Sequence, residues 1–265
     1  MTGSHPTDAG EMLGLVAELR SGLDEAAELI NGIVDGIDSV LATLPDGQGD
    51  GIRDAVTGFR RMFDDTVTEL GRALDRAGDP VALRATGAVW AVDIGGGVSG
   101  LAGLATENTT RADNHWTGDA AEAYLDTLLP QRLAITAVTT TGDRIDAVLN
   151  ELANAIIDFW KNVEAAVITL LAGLVAAGAV ATGGLTVVVA VGMAAAALNL
   201  FSASVVSQIS MFTELGNAIS IRTRELVAVR ADDTAFPGGR WPSAVATDLN
   251  DGSITDGDDT DWHVE

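Results

Sequence analysis

The chain of 265 residues contains no cysteine. That excludes disulfides, thiolate metal sites and a cysteine nucleophile, and it leaves the redox compartment undetermined. Basic residues are scarce: 15 Lys and Arg stand against 38 Asp and Glu, a formal net charge of −23, and Lys161 is the single lysine. Binding a phosphate backbone requires a basic surface that releases counterions, so the charge balance argues against a nucleic-acid partner. An anionic membrane surface would also repel most of the chain. Residues 1–8 have neither the basic n-region nor the apolar h-region of a Sec signal peptide, so any export is expected to follow another route. The three histidines, His5, His115 and His263, show no ligand spacing. No P-loop, dinucleotide fingerprint or nucleophile elbow occurs, and the acid pairs Asp64 and Asp65 or Asp258 and Asp259 lie on solvated stretches. Asp251, Ser253 and Thr255 do not make a calcium loop, because Asp256 stands where the invariant Gly belongs and Trp262 where the bidentate Glu belongs. No catalytic residue, metal site or cofactor is expected.

What is present is helical periodicity. Val16, Leu19, Leu23, Ala26, Ile30, Ile33, Ile37, Val40 and Leu44 alternate steps of three and four, which predicts a long helix with a coiled-coil-like seam. The run from Pro45 to Gly51 breaks it, and Ile52, Val56, Phe59, Phe63, Thr66, Leu70, Ala73 and Ala77 form a second seam that Gly78-Asp79-Pro80 closes. A short loop between two helices makes them antiparallel neighbours, so residues 11–78 read as one hairpin. A third helix is expected from Pro80 to about Asn114. Its centre, 95–104, is glycine-rich and costs up to about 1 kcal/mol per Gly relative to Ala, so this stretch either lets another helix approach closely or breaks. Close packing is the preferred reading because Val92, Leu101 and Leu104 still mark a helical face. A fourth helix runs from Asp119 through Leu125, Leu128, Ile135, Val138, Ile145, Leu149, Leu152, Ile156, Phe159 and Val163, with a kink expected at Pro130. Residues 11–164 therefore predict an up-and-down bundle of two hairpins.

The corner between the third and fourth helices is His115-Trp116-Thr117-Gly118-Asp119. Gly118 can take the positive φ that ends a helix, and Asp119 can cap the next. Read alone, this is equally a buried aromatic beside a helix stop. With Ala120-Ala121-Glu122-Ala123-Tyr124 following, Trp116, Thr117 and Gly118 resemble the turn of the WXG family of helical hairpins exported by type VII (ESX) secretion systems of actinobacteria. That family also carries an export signal near the end of its second helix, an aromatic, normally Tyr, with an acid four positions later. The single Tyr, Tyr124, is followed at that distance by Leu128, so the standard form is absent, and Trp160 with Glu164 offers a Trp version at about the expected separation. The alternative is one core aromatic and one solvated acid a helical turn apart. The resemblance covers roughly residues 80–164. Two hairpins in one chain look like a PE/PPE-like single-chain fusion.

Between Glu164 and Glu214 there is no Asp, Glu, Lys, Arg or His. The arms 167–181 and 185–198 each approach the roughly 20 residues that span hydrocarbon, and Thr182, Gly183 and Gly184 form a natural tip. Three readings stand: a permanent two-span hairpin, a hairpin shielded in the protein and released at a membrane as in pore-forming colicins, or an Ala-rich core pair that never meets lipid. Ala and Gly are weakly lipophilic, which lowers the insertion case. A helical pattern then continues to about Arg230, and the acidic stretch 231–265 is expected to be disordered.

The sequence thus predicts an all-α, elongated antiparallel helical bundle in four parts: an N-terminal hairpin (1–79), a WXG-like hairpin (80–164), an apolar hairpin with the helix after it (165–230) and an acidic tail (231–265). The resemblance implies a non-enzymatic type VII secretion substrate, secreted or cell-surface, whose partners are the secretion machinery or its chaperone and a membrane, its own or a host's. A homo-oligomer is a further partner. The alternatives are a pore-forming or membrane-disrupting toxin and a cell-retained membrane or oligomeric scaffold.

Overall fold

The computed structural model describes residues 9–43, 45, 47, 49–106, 119–181, 187–230 and 235–242. Among these, every regular element is helical, and the fold is all-α. Its helices are α1 (Ala9–Leu41), α2 (Asp50–Leu74), α3 (Pro80–Ala88), α4 (Asp119–Ala181) and α5 (Val187–Arg230). α3 runs on into a π-helical stretch, Val89–Gly96, a single α-turn, Gly97–Ser99, and a 3-10 segment, Gly100–Gly103. The chain divides into two compact units, Met1–Arg84 with Asn150–Ala218 and Ala85–Leu149 with Ile219–Glu265.

In the first unit α1 buries Leu19, Leu23, Ala26, Ile30, Ile33 and Ile37, and α2 buries Val56, Phe59, Phe63, Leu70 and Leu74. These residues share one core with Val163, Val167, Leu170 and Leu174 of α4 and with Leu198, Phe201 and Val205 of α5. Each buried Leu, Ile or Phe contributes about 1.5–3 kcal/mol of transfer free energy, so this seam dominates the unit's stability. Polar contacts fix the neighbours. Arg60 donates to Asn31 Oδ1 at 2.6 Å between α2 and α1, Thr66 and Ser202 hydroxyls lie 3.0 Å apart between α2 and α5, and Asn162 donates to Gln208 at 3.1 Å between α4 and α5. The Arg20–Asp75 pair at 2.8 Å is exposed on both sides and adds little. Gly22 sits beside Val167 and Gly178 beside Ile33, so α1 and α4 run in the same direction.

The partners in this bundle differ from the arrangement that periodicity alone suggests. The first hairpin does not share its unit with residues 85–149. It packs instead on the end of α4 and the start of α5, the expected apolar hairpin. The physical reason lies in composition. Stretch 136–142 is rich in Thr and ends in Gly, whereas 156–177 offers a wholly apolar row, Ile156, Trp160, Val163, Val167, Leu170, Leu174 and Ala177, to the seams of α1 and α2. Nor does the expected boundary at residue 164 exist as a break, because α4 passes through it as one helix of 63 residues that also contains Pro130.

Asp79 begins α3 by accepting from the Ala82 amide at 2.9 Å, with Pro80 in the first turn where its missing N–H costs nothing. In the second unit the glycine-rich stretch does both things open to it. A Cβ at Gly142 of α4 would stand 2.5 Å from the Trp90 carbonyl oxygen, and one at Gly95 would stand 3.4 Å from the Thr139 carbonyl oxygen. Glycine is therefore required at 142 for the backbones to approach, while Gly95 leaves only tight room. The Thr139 hydroxyl lies 3.2 Å from the Gly95 carbonyl, within the π-helical turn whose altered spacing this packing accompanies. Beyond Gly96 come the α-turn and the 3-10 segment, which ends at Gly103, and residues 104–106 are not helical; the expected end at Asn114 lies outside the described residues. Part of the stretch expected to be disordered is packed: Pro237–Gly239 form a 3-10 turn, the Phe236 and Trp241 rings lie 6.5 Å apart, and Gln131 donates to the Pro242 carbonyl at 3.1 Å.

Candidate functional site

Trp116, Thr117 and Gly118 of the expected turn, and Thr182, Gly183 and Gly184 of the expected hairpin tip, lie outside the described residues. Trp160 and Glu164 lie inside the first unit, and α4 places them one turn apart. Trp160 is 3% exposed. Its indole Nε1 donates to the Ala77 carbonyl at 2.8 Å, and Phe159 meets its ring edge-on with centroids 4.7 Å apart. Ala77 follows the last turn of α2, where helical carbonyls lack intrahelical donors, so the indole satisfies a group the helix end leaves free. Trp160 thus ties the end of α2 to α4. Glu164 is half-buried and lines a shallow groove with Glu18, Gly22 and Val167. Of the two residues, Glu164 is the one open to solvent and Trp160 the one held in the core.

The larger feature is the uncharged stretch that α4 and α5 share. Each helix is long and apolar enough to cross a membrane, with an apolar window of mean hydropathy 2.1 within Tyr124–Val180 and 1.9 within Val188–Glu225. A core helix passing the same test is mostly buried, whereas 33% of each window is buried here. Ile168, Val175, Val188, Val189 and Leu200 are exposed, the last by 66%. The two helices pack directly on each other through small residues. A Cβ at Gly173 would stand 2.5 Å from the Cβ of Ala197, and Ala177, Ala190 and Ala194 are buried on the same two helices. Small residues at a crossing allow backbone-to-backbone approach, the contact that holds helices together in lipid where no hydrophobic effect acts.

The sequence marks Trp160, the uncharged run and, as a seam residue, Ala77, but neither the Ala77 carbonyl as the indole's acceptor nor the Gly173–Ala197 pairing. The signal for Gly173 was a Gly in an Ala-rich arm that also holds Gly178, and that spacing does not name its partner. Among the described residues, no group of His, Asp and Glu is placed to hold a metal ion, and no buried side-chain polar atom lacks a partner. No family model, curated protein or solved structure matches the chain. The site therefore rests on its own geometry.

Trp160→Phe keeps the ring and removes the donor to Ala77. It is expected to lower the unfolding free energy by about 1–2 kcal/mol in chemical denaturation, the cost of a lost hydrogen bond to a partly buried carbonyl. Trp241→Phe, whose ring is half exposed, serves as the control and should cost much less. Equal effects at both positions would contradict a tying role for the Trp160 indole.

Proposed function

We propose that this chain is a non-enzymatic, membrane-interacting helical protein that shields its own apolar hairpin and surrenders it to lipid. The observation that carries this reading is the shared core of the first unit. α1 lies alongside α4 from the level of Gly22 and Val167 to that of Ile33 and Gly178, the same length of α4 that is uncharged. If residues 165–181 crossed a bilayer in this arrangement, Asp24, Glu25, Glu28 and Asp35 of α1, all exposed and level with that length, would enter hydrocarbon with it. At about 2.5–3.5 kcal/mol per acid at the centre of a span on insertion scales, the cost is on the order of 10 kcal/mol, as large as the whole stability of a typical domain. The arrangement described is therefore the water-borne one, and insertion requires α1 and α2 to leave.

The export route is the second part of the proposal. It rests on the resemblance of Trp116-Thr117-Gly118 to the WXG turn, with Glu164 as the accessible acid of the signal, and it makes the protein a type VII (ESX) substrate. In a producing cell, Glu164→Gln should remove the protein from the culture filtrate without changing its helicity. Undiminished export of this variant would sink the signal assignment.

A cysteine lock tests insertion, because the chain contains no cysteine to interfere. An added Cβ at Gly22 lies 2.8 Å from a Val167 methyl, so Gly22→Cys with Val167→Cys brings two thiols within bridging reach of α1 and α4. With zwitterionic vesicles, the oxidised double variant should stay in the soluble fraction after carbonate washing. Reduction should restore wild-type membrane recovery and any release of trapped dye. Insertion of the oxidised form to the wild-type extent would refute shielding by α1. Recovery of neither form with vesicles would favour a core pair that never meets lipid.

A further inference from the structure

We infer that the crevice between α1 and α4 is a docking groove for a basic amphipathic helix supplied by another protein. Two hollows lie end to end along these helices. The larger, about 610 Å³, is lined by Glu25, Glu28, Leu29, Gly32, Gly36 and Val175 among others, and the smaller, about 290 Å³, by Glu18, Glu25, Glu164 and Ile168 among others. Glu25 belongs to both, so they form one trough. From Glu18 to Gly36 it is about 27 Å long at the α-helical rise of 1.5 Å per residue, the length of a helix of about 18 residues.

The floor and the rim have different chemistry. Leu29 is half-buried and Ile33 and Leu174 are buried along the floor, while Ile168 and Val175 stand 60% and 55% exposed on the α4 side. Gly32 and Gly36, four residues apart on α1, have nothing within 4 Å of where a Cβ would be. A helix can therefore approach the α1 backbone closely there. On the α1 rim stand Glu18, Glu25 and Glu28, with Glu164 at one end of the opposite wall. No Lys, Arg or His lines either hollow, and among the described residues none of these four acids has an ion-pair partner. The complementary ligand is a helix with an apolar stripe against the floor, Lys or Arg along one flank at the spacing of Glu18, Glu25 and Glu28, and an uncharged opposite flank. A second copy of this chain does not fit, because its net charge of −23 brings more acids to an acidic rim. The inference concerns the protein in water and is independent of membrane insertion.

The test uses the full chain without lipid and a fluorescein-labelled synthetic Leu/Lys amphipathic helix of about 18 residues, the length of the trough, read by anisotropy. Saturable binding is expected at one peptide per chain. Glu18→Gln with Glu25→Gln and Glu28→Gln should weaken it by about tenfold, equivalent to roughly 1.4 kcal/mol. Asp54→Asn with Asp64→Asn and Asp65→Asn removes the same charge from exposed sites on α2 and should change it by less than about twofold, as screening predicts for a remote charge. Gly32→Leu fills open space, leaves the net charge unchanged and should block binding while raising helix propensity. A Leu/Gln peptide of the same length should bind more weakly than the Leu/Lys one. Equal weakening by the two acid triples would reduce the effect to bulk attraction by a strongly negative protein and overturn the groove. So would unimpaired binding by the Gly32→Leu variant, with its thermal melt confirming that it is folded, or the absence of any binding to the wild-type chain.

Discussion

The first unit depends on one contact, that between the leucine and isoleucine seams of α1 and α2 and the uncharged lengths of α4 and α5. It is a hydrophobic contact in the strict sense: it exists because water is worse company for Leu19, Ile30, Phe63 or Leu170 than these side chains are for one another. In lipid that driving force vanishes, because acyl chains solvate the same side chains as well as α1 and α2 do. The Gly173–Ala197 crossing between α4 and α5 is different in kind. It is made by close backbone approach and dispersion, which survive the transfer. The fold thus pairs an interface that water maintains with one that lipid tolerates, and the two meet on the same pair of helices.

Charge gives that pairing a direction. α1 carries its acids on the exposed face and its apolar residues toward the core it shares with α4, so under the proposed function it does not follow α4 into hydrocarbon. In the proposed function Glu25 and Glu28 serve the water-borne state twice. They keep the shielding helix out of the bilayer, and they give the α1–α4 trough the charge that a basic helix would meet. Trp160, bonded to the Ala77 carbonyl, ties α4 to the end of the shielding hairpin just before the uncharged length begins.

Local structure was legible where apolar and polar residues alternate. On α1 the seam residues Leu19, Leu23, Ala26, Ile30, Ile33 and Ile37 are buried, and on α2 so are Val56, Phe59, Phe63 and Leu70, because a 3.6-residue period marks one face; the seam ends Val16, Val40, Ile52 and Ala77 are only half-buried, while Met12, Leu15, Val34, Leu41 and Leu74 beside the seams are buried as well. It was not legible where every face is apolar. Along 165–181 and 187–205 nothing in the sequence distinguishes Leu170 and Leu174, which are buried, from Ile168 and Val175, which are exposed, so the packing partner could not be named. The bundle partners were missed for that reason. The π-helical stretch was invisible for another: its hydrogen-bond shift accompanies the approach of Thr139 and Gly142 from a distant part of the chain. For the candidate site, the Trp160–Glu164 spacing and the uncharged run could be read directly. That Trp160 faces inward depended on the free carbonyl of Ala77, whose position is set by the end of another helix.

The central claim is that α1 leaves α4 when α4 meets lipid. The most direct measurement is the distance between nitroxide labels at Ser39 on α1 and Ala176 on α4, both exposed, by pulsed electron paramagnetic resonance. In buffer the account predicts one narrow distribution, as for two helices of one bundle. With zwitterionic vesicles it predicts that this peak is replaced by a longer and broader one in the membrane-bound fraction. A short, narrow distribution that persists in the membrane-bound protein would contradict it, because the hairpin would then have reached lipid with its acidic cover still in place.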